Sequence, residues 1–124
     1  MLTHGTEWIV DAHGCNAEAL RSISTLEGLF ARIIGELGLR PVAPPVWHQF
    51  PGEGGITGVV LLSESHLACH TFPESGFAGL NLYCCRPRSR WAWEPTLTEL
   101  LGAQHVQVRS EPRGAARPLV AGPR

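Results

Sequence analysis

Ile-Thr-Gly-Val-Val-Leu-Leu-Ser-Glu-Ser-His-Leu-Ala-Cys-His-Thr-Phe-Pro-Glu-Ser-Gly-Phe-Ala-Gly-Leu-Asn-Leu-Tyr-Cys-Cys, residues 56–85, decides the architecture. Ile56–Ser63 is a β-branched, apolar run that reads as a buried strand. Leu67–Phe72 and Phe77–Cys85 read as two further strands, separated by the turn-forming Pro73-Glu74-Ser75-Gly76. Upstream, Val46–Phe50 follows Pro41, Pro44 and Pro45, which force extended or edge-strand backbone. Pro51-Gly52-Glu53-Gly54-Gly55 is a loop suited to lining a site. Further upstream, Thr6–Ala12 alternates polar and apolar residues as a first strand. Asn16 is a natural N-cap with Glu18 in the first turn. Leu20, Ile23, Leu26, Phe30, Ile33, Ile34 and Leu37 then recur at helical spacing up to Gly38, which predicts one helix over 17–37. Downstream, Pro95–Leu101 reads as a second helix and His105–Arg109 as a last strand. The order β-α-β-β-β-β-α-β predicts an α+β two-layer sandwich, a mainly antiparallel sheet with helices packed on one face. Residues 1–110 form its single domain, and 111–124, rich in Pro, Gly, Ala and Arg without periodicity, read as a flexible tail.

The chain has 124 residues, with 44% hydrophobic and 17% charged residues. At this size, folding buries roughly two thirds of the unfolded surface, enough for a core without disulfide staples. Lys+Arg 10 against Asp+Glu 11 leaves a net charge of -1, so no positive field attracts nucleic acid. No apolar run is long enough to cross a membrane, and the first residues lack a signal-peptide pattern. The expectation is a cytoplasmic domain acting on a small molecule, with no nucleic acid or membrane partner. All the basic side chains are Arg, and lysine is absent. That excludes lysine Schiff-base chemistry, ordinary pyridoxal-phosphate catalysis included, and a Walker-type phosphate loop. Cys15, Cys69, Cys84 and Cys85 have no zinc spacing and read as free thiols in a reducing compartment.

Ser63-Glu64-Ser65-His66-Leu67-Ala68-Cys69-His70-Thr71-Phe72-Pro73-Glu74 carries the densest chemistry. It reads as a strand edge with its polar residues facing water, as a metal site, or as a serine nucleophile with a histidine. The metal reading is weakened because a strand turns Cys69 away from His66 and His70, leaving two ligands together, so no metal is expected. The nucleophile reading lacks the strained Gly-x-Ser-x-Gly turn.

Glu-Ser-His-x-x-x-His-Thr-x-Pro-Glu within residues 58–74 closely resembles the S-adenosylmethionine decarboxylase family in its short prokaryotic form. Gly5, Asp11, Gly14-Cys15, His48, Phe50 and Cys85 extend the likeness over nearly the whole chain before the tail. The resemblance implies a proenzyme that breaks its own Glu64–Ser65 bond. Attack of the Ser65 hydroxyl on the Glu64 carbonyl gives an ester, and β-elimination and hydrolysis leave a pyruvoyl cap on residue 65. That ketone takes up a substrate amine and the electrons released with CO2, so neither pyridoxal phosphate nor lysine is needed. By the same resemblance, His70 assists processing and Thr57 hydrogen-bonds the ester. Cys85 protonates the substrate carbon, Phe50 stacks on adenine and Glu74 binds the ribose hydroxyls. The implied assembly is a homodimer of processed two-chain protomers. Cys84 competes with Cys85 but should face the other side of the strand. His48 and His66 read equally as structural histidines, Cys15 and Cys69 as structural or core thiols, and Trp8, Trp47, Trp91 and Trp93 as core or interface.

Several positions depart from the family pattern. Glu7 stands where the usual bacterial pattern has His, Asn81 where Asp is usual, Phe72 for Trp and Thr57 for Ser. The loop from Phe50 to Thr57 is one residue longer and adds Glu53. Some relatives decarboxylate ornithine or arginine with the same pyruvoyl group. Glu7 and Glu53, if both line the pocket, could bind a second ammonium or a guanidinium. Retention of Phe50 and Glu74 favours the adenosyl substrate. Intact Glu64-Ser65, His70 and Cys85 argue against a non-catalytic relative.

Overall fold

The structure is a computed structural model and describes residues 4–114. Six strands form one sheet: β1 Gly5–His13, β2 Val46–Gln49, β3 Ile56–Leu62, β4 Ser65–Phe72, β5 Phe77–Cys84 and β6 His105–Arg113. Their order across the sheet is β2-β3-β4-β5-β1-β6, and every neighbouring pair is antiparallel. The helices are α1 Ala17–Leu20, α2 Ile23–Leu37 and α3 Trp93–Leu101. The chain is therefore the expected α+β sandwich.

Alternation decides what each strand buries. Leu67, Cys69 and Thr71 of β4 and Ala78, Leu80, Leu82 and Cys84 of β5 point inward, while His66, His70 and Phe72 point out. Inward residues meet Leu26, Leu29, Phe30 and Ile33 of α2 and Trp93, Leu97 and Leu101 of α3. Each such fully buried side chain contributes about 1.5–3 kcal/mol. Trp91 and Trp93 lie in this core, and Trp8 and Trp47 pack against it. Trp47 lies over Gly58, its cross-strand partner, where any Cβ would enter the indole ring. Helices cover one face of the sheet only. Val46, Val59, Leu61 and Phe72 stand exposed on the other.

Most element ends fall within two residues of the sequence reading, and two boundaries differ by more. The helix expected over 17–37 is two helices, because Ser22 takes extended backbone and accepts a hydrogen bond from Thr25 N–H, capping α2 afresh. The last strand runs through Arg113, so Glu111–Arg113 belong to the sheet and not to the tail. β6 is an edge strand with one neighbour, β1, and proline is tolerated on such strands, as Pro112 is here. The rest of the expected tail, residues 115–124, lies outside the described residues.

Candidate active site

Leu62 pairs with Ser65, so β3 and β4 are joined by a loop of two residues, Ser63 and Glu64. Glu64 has φ 65°, and among the described residues it alone is a non-glycine in the left-handed region. Such backbone costs about 1–3 kcal/mol and persists only where neighbours hold it. Here they do. The Glu64 carbonyl accepts from Cys85 N–H at 3.0 Å, and Ser63 N–H donates to the Arg40 carbonyl at 2.7 Å. Arg86 Nε donates to Glu64 Oε2 at 2.5 Å. Beside this strained residue, the Ser65 hydroxyl is buried with no hydrogen-bond partner among the described residues. An unsatisfied buried hydroxyl is costly, and it leaves the lone pairs of Ser65 Oγ uncommitted.

All four thiols are free. Burial pushes Cys15 and Cys84 up from the ordinary thiol value, and Cys69 to about 12. Cys84 lies directly across from Ser65 but is 2% exposed and turned to the core. Cys85, one residue beyond β5, is the exposed thiol. The expected division between the two neighbours is present: Cys84 in, Cys85 out.

On the open face a chain of contacts crosses four strands, β6, β1, β5 and β4. Asn81 Nδ2 donates to Glu7 Oε2 at 2.6 Å, and Arg113 Nη1 donates to Glu7 Oε1 at 2.6 Å. These two donors hold the Glu7 carboxyl below its ordinary value. Because a carboxylate only accepts, Asn81 must turn its amide nitrogen to Glu7 and its oxygen to His66. That oxygen is 3.2 Å from His66 Nε2, which must therefore carry a proton and donate it. Sequence reading noted Glu7 and Asn81 as separate departures. The fold makes them partners. Glu7 does not line the cavity that holds Phe50 and Glu74; it stands at the Ser65 end of the sheet, next to Thr6, whose cross-strand partner is Cys84.

At the other end of β4 lies a cavity of about 400 Å³ whose walls include Phe50, Glu53, Thr57, His70, Phe72 and Glu74. Thr57 and His70 are cross-strand partners, with Thr57 Oγ1 3.0 Å from His70 Nδ1. The Phe50 ring, 50% exposed, meets His48 edge-on at 4.5 Å. Sequence reading missed Thr71. Its buried hydroxyl donates to the Leu20 carbonyl at 2.7 Å and accepts from Ile56 N–H at 2.9 Å, tying α1 and β3 to the cavity floor. The one signal was a polar residue at an inward position of β4.

The expected site residues thus fall into two groups. Glu64, Ser65, Cys85 and Glu7 stand at one end, and Thr57, His70, Phe50 and Glu74 at the other. Ser65 and His70 are separated by five strand steps, about 16 Å. One protomer does not bring them together.

The profile of the S-adenosylmethionine decarboxylase family matches residues 6–114. The S-adenosylmethionine decarboxylase proenzyme of Geobacillus kaustophilus is 36% identical over 121 residues, covering 96% of this chain and 94% of that protein. The proenzyme of Moorella thermoacetica is 33% identical over 115 residues, covering 92% and 90%. The crystal structure of the adenosylmethionine decarboxylase from Aquifex aeolicus superposes with a TM-score of 0.80 at 24% identity, covering 98% of this chain and 100% of that one, and so shares its fold. With the profile spanning β1 to the end of β6, the chain belongs to the S-adenosylmethionine decarboxylase family.

Proposed function

We propose that the protein is a self-processing, pyruvoyl-dependent decarboxylase of S-adenosylmethionine, acting in polyamine synthesis. The observation that carries this reading is the Glu64–Ser65 junction: strained backbone at Glu64 beside an unpartnered, buried Ser65 hydroxyl. Those features suit a bond that its own side chain attacks. Cys85 N–H, already on the Glu64 carbonyl, would stay with that oxygen as charge builds on it. A pyruvoyl group at residue 65 would supply an electrophilic carbonyl that serves as electron sink. No lysine is required.

The residues take these roles. His70, with Thr57 on its Nδ1, moves protons during processing. Cys85 holds the proton destined for the substrate carbon, since an exposed thiol can reach it and buried Cys84 cannot. Phe50 stacks on the adenine and Glu74 binds the ribose in the 400 Å³ cavity. Glu7, paired with Arg113 and Asn81, fixes the ring of His66 beside the reacting end. Ornithine or arginine would need free carboxylates in one pocket. Glu53 is in the cavity but Glu7 is paired elsewhere, which favours the adenosyl substrate.

The separation of the two groups supports a homodimer. Two copies opposed through their open faces, about a two-fold axis perpendicular to β4, would bring the Ser65 end of one against the His70 end of the other. Exposed Val46, Val59, Leu61 and Phe72 supply the apolar surface for that contact. The experiment is CO2 release from S-adenosylmethionine, ornithine and arginine, side by side, with no added cofactor. Release from S-adenosylmethionine alone is expected. Release from a basic amino acid alone would overturn the substrate assignment.

A further inference from the structure

Beside the β3–β4 loop is a polar cavity of about 450 Å³ lined by Gly38, Arg40, Ser63, Glu64, Arg86 and Arg88. Three guanidinium groups share it with one carboxylate. Arg86 is committed to the Glu64 side chain. Among the described residues Arg40 and Arg88 have no ion-pair partner, so two positive charges stand uncompensated. Such a cavity is built to take an anion. Glu64 itself lines the cavity, and its carbonyl accepts from the N–H of Cys85, the residue immediately before Arg86. The Ser63 amide is tied to the Arg40 carbonyl, which fixes the hairpin against the other wall.

We infer that this arginine cavity is the leaving-group site of self-processing, receiving the carboxylate that Glu64 becomes when the ester breaks. The inference rests on the proposed self-cleavage and assigns residues to one step of it. When Ser65 Oγ attacks, the Glu64–Ser65 amide becomes an ester, and the hydroxyl proton passes to the freed amine. This ester carries no charge at the carbonyl. In the elimination, His70 of the partner protomer takes the Ser65 Cα proton, the Cβ–Oγ bond breaks, and its electron pair leaves with Glu64 as a main-chain carboxylate. Residue 65 is left as an enamine, and water hydrolyses its imine tautomer to the ketone, releasing ammonia. One full negative charge therefore appears at Glu64 during elimination and not before. Fixed cations facing that position stabilise the transition state of elimination more than that of ester formation. The afterstate is favoured too, since the new C-terminus sits among Arg40, Arg86 and Arg88.

The test is the processing rate of freshly refolded full chain, followed by intact mass with and without hydroxylamine, which cleaves esters but not amides. The double variant Arg40→Gln, Arg88→Gln keeps the Glu64–Arg86 pair and changes only exposed side chains. It should form the pyruvoyl fragment about tenfold more slowly. Uncleaved chain should then accumulate in a form that hydroxylamine splits into residues 1–64 and 65–124. Lysine at both positions should restore most of the rate, because the charge returns. Wild-type rates in the glutamine variant would overturn the inference, as would slow processing with no hydroxylamine-sensitive chain. A wild type that never yields fragment 65–124 would overturn the self-cleavage reading itself, and this inference with it.

Discussion

Glu64 and Cys85 meet through one hydrogen bond, carbonyl to amide, and that contact sets the side chain of Cys85 apart from its neighbour. The strand parity that buries Cys84 against the core ends there, so Cys85 is free to face a ligand. Cys85→Ala should therefore still cleave itself but lose turnover by roughly 10²–10⁴, the range for a removed general acid. Cys84→Ala should stay active. Fragment mass and CO2 release on both variants separate the roles, and the opposite pattern would mean the buried thiol does the work. Glu7 permits a prediction of a different kind. Its carboxyl is lowered from 4.5 in the fold, first by Asn81 and then by Arg113. A depressed carboxyl adds stability that is complete above its unfolded value and is lost as pH falls through the folded one. Wild type should thus lose more stability between about pH 5 and pH 3 than Glu7→Gln does, read as urea midpoints. Parallel losses would show that Glu7 gains nothing from its partners.

The strands of the sheet announce themselves because one face is buried and alternation follows. β3, β4 and β5 have inward positions that are apolar almost without exception, and their ends fall within two residues of the pattern. The break between α1 and α2 was illegible for a physical reason. Apolar spacing runs on from Leu20 through Ile23 to Leu26, and Ser22 looks like one more surface residue until its cap is seen. β6 was cut short because Pro112 and the charged residues around it carry the composition of a tail, which an edge strand also tolerates. The motif at 63–74 was legible because it is contiguous. Glu7, Asn81 and His66 were not readable as one unit, since Glu7 and Asn81 are 74 positions apart and meet only through strand register. Thr71 shows the same limit. Thr71→Val keeps the shape but strands the Ile56 N–H and the Leu20 carbonyl inside the fold. It should cost about 2–4 kcal/mol, from two unsatisfied groups at ~1–3 kcal/mol each. Chemical denaturation measures it. A change below ~0.5 kcal/mol would mean that neither bond matters to the junction of α1 with β3.

The whole molecule has a covered face and an uncovered one, and the candidate chemistry straddles the length of the uncovered face. Leu61, 60% exposed, stands on β3 at the Ser65 end, and Phe72 stands at the far end of β4. If two copies close that face, each working site takes Ser65 from one protomer and His70 from the other. Ser65→Ala and His70→Ala should then both be inactive alone. Co-folded in equal amounts, they should recover about a quarter of wild-type sites, because half the dimers are mixed and each has one intact pair. No recovery would mean that each protomer acts by itself or not at all. Beneath this stands the claim on which the rest depends, that the chain cuts itself between Glu64 and Ser65. Intact mass spectrometry of the purified protein tests it most directly. The account predicts two chains, residues 1–64 and a pyruvoyl-capped 65–124, with Ser65→Ala remaining whole. A wild-type chain that stays uncut, yet releases CO2 from S-adenosylmethionine without added cofactor, would contradict it.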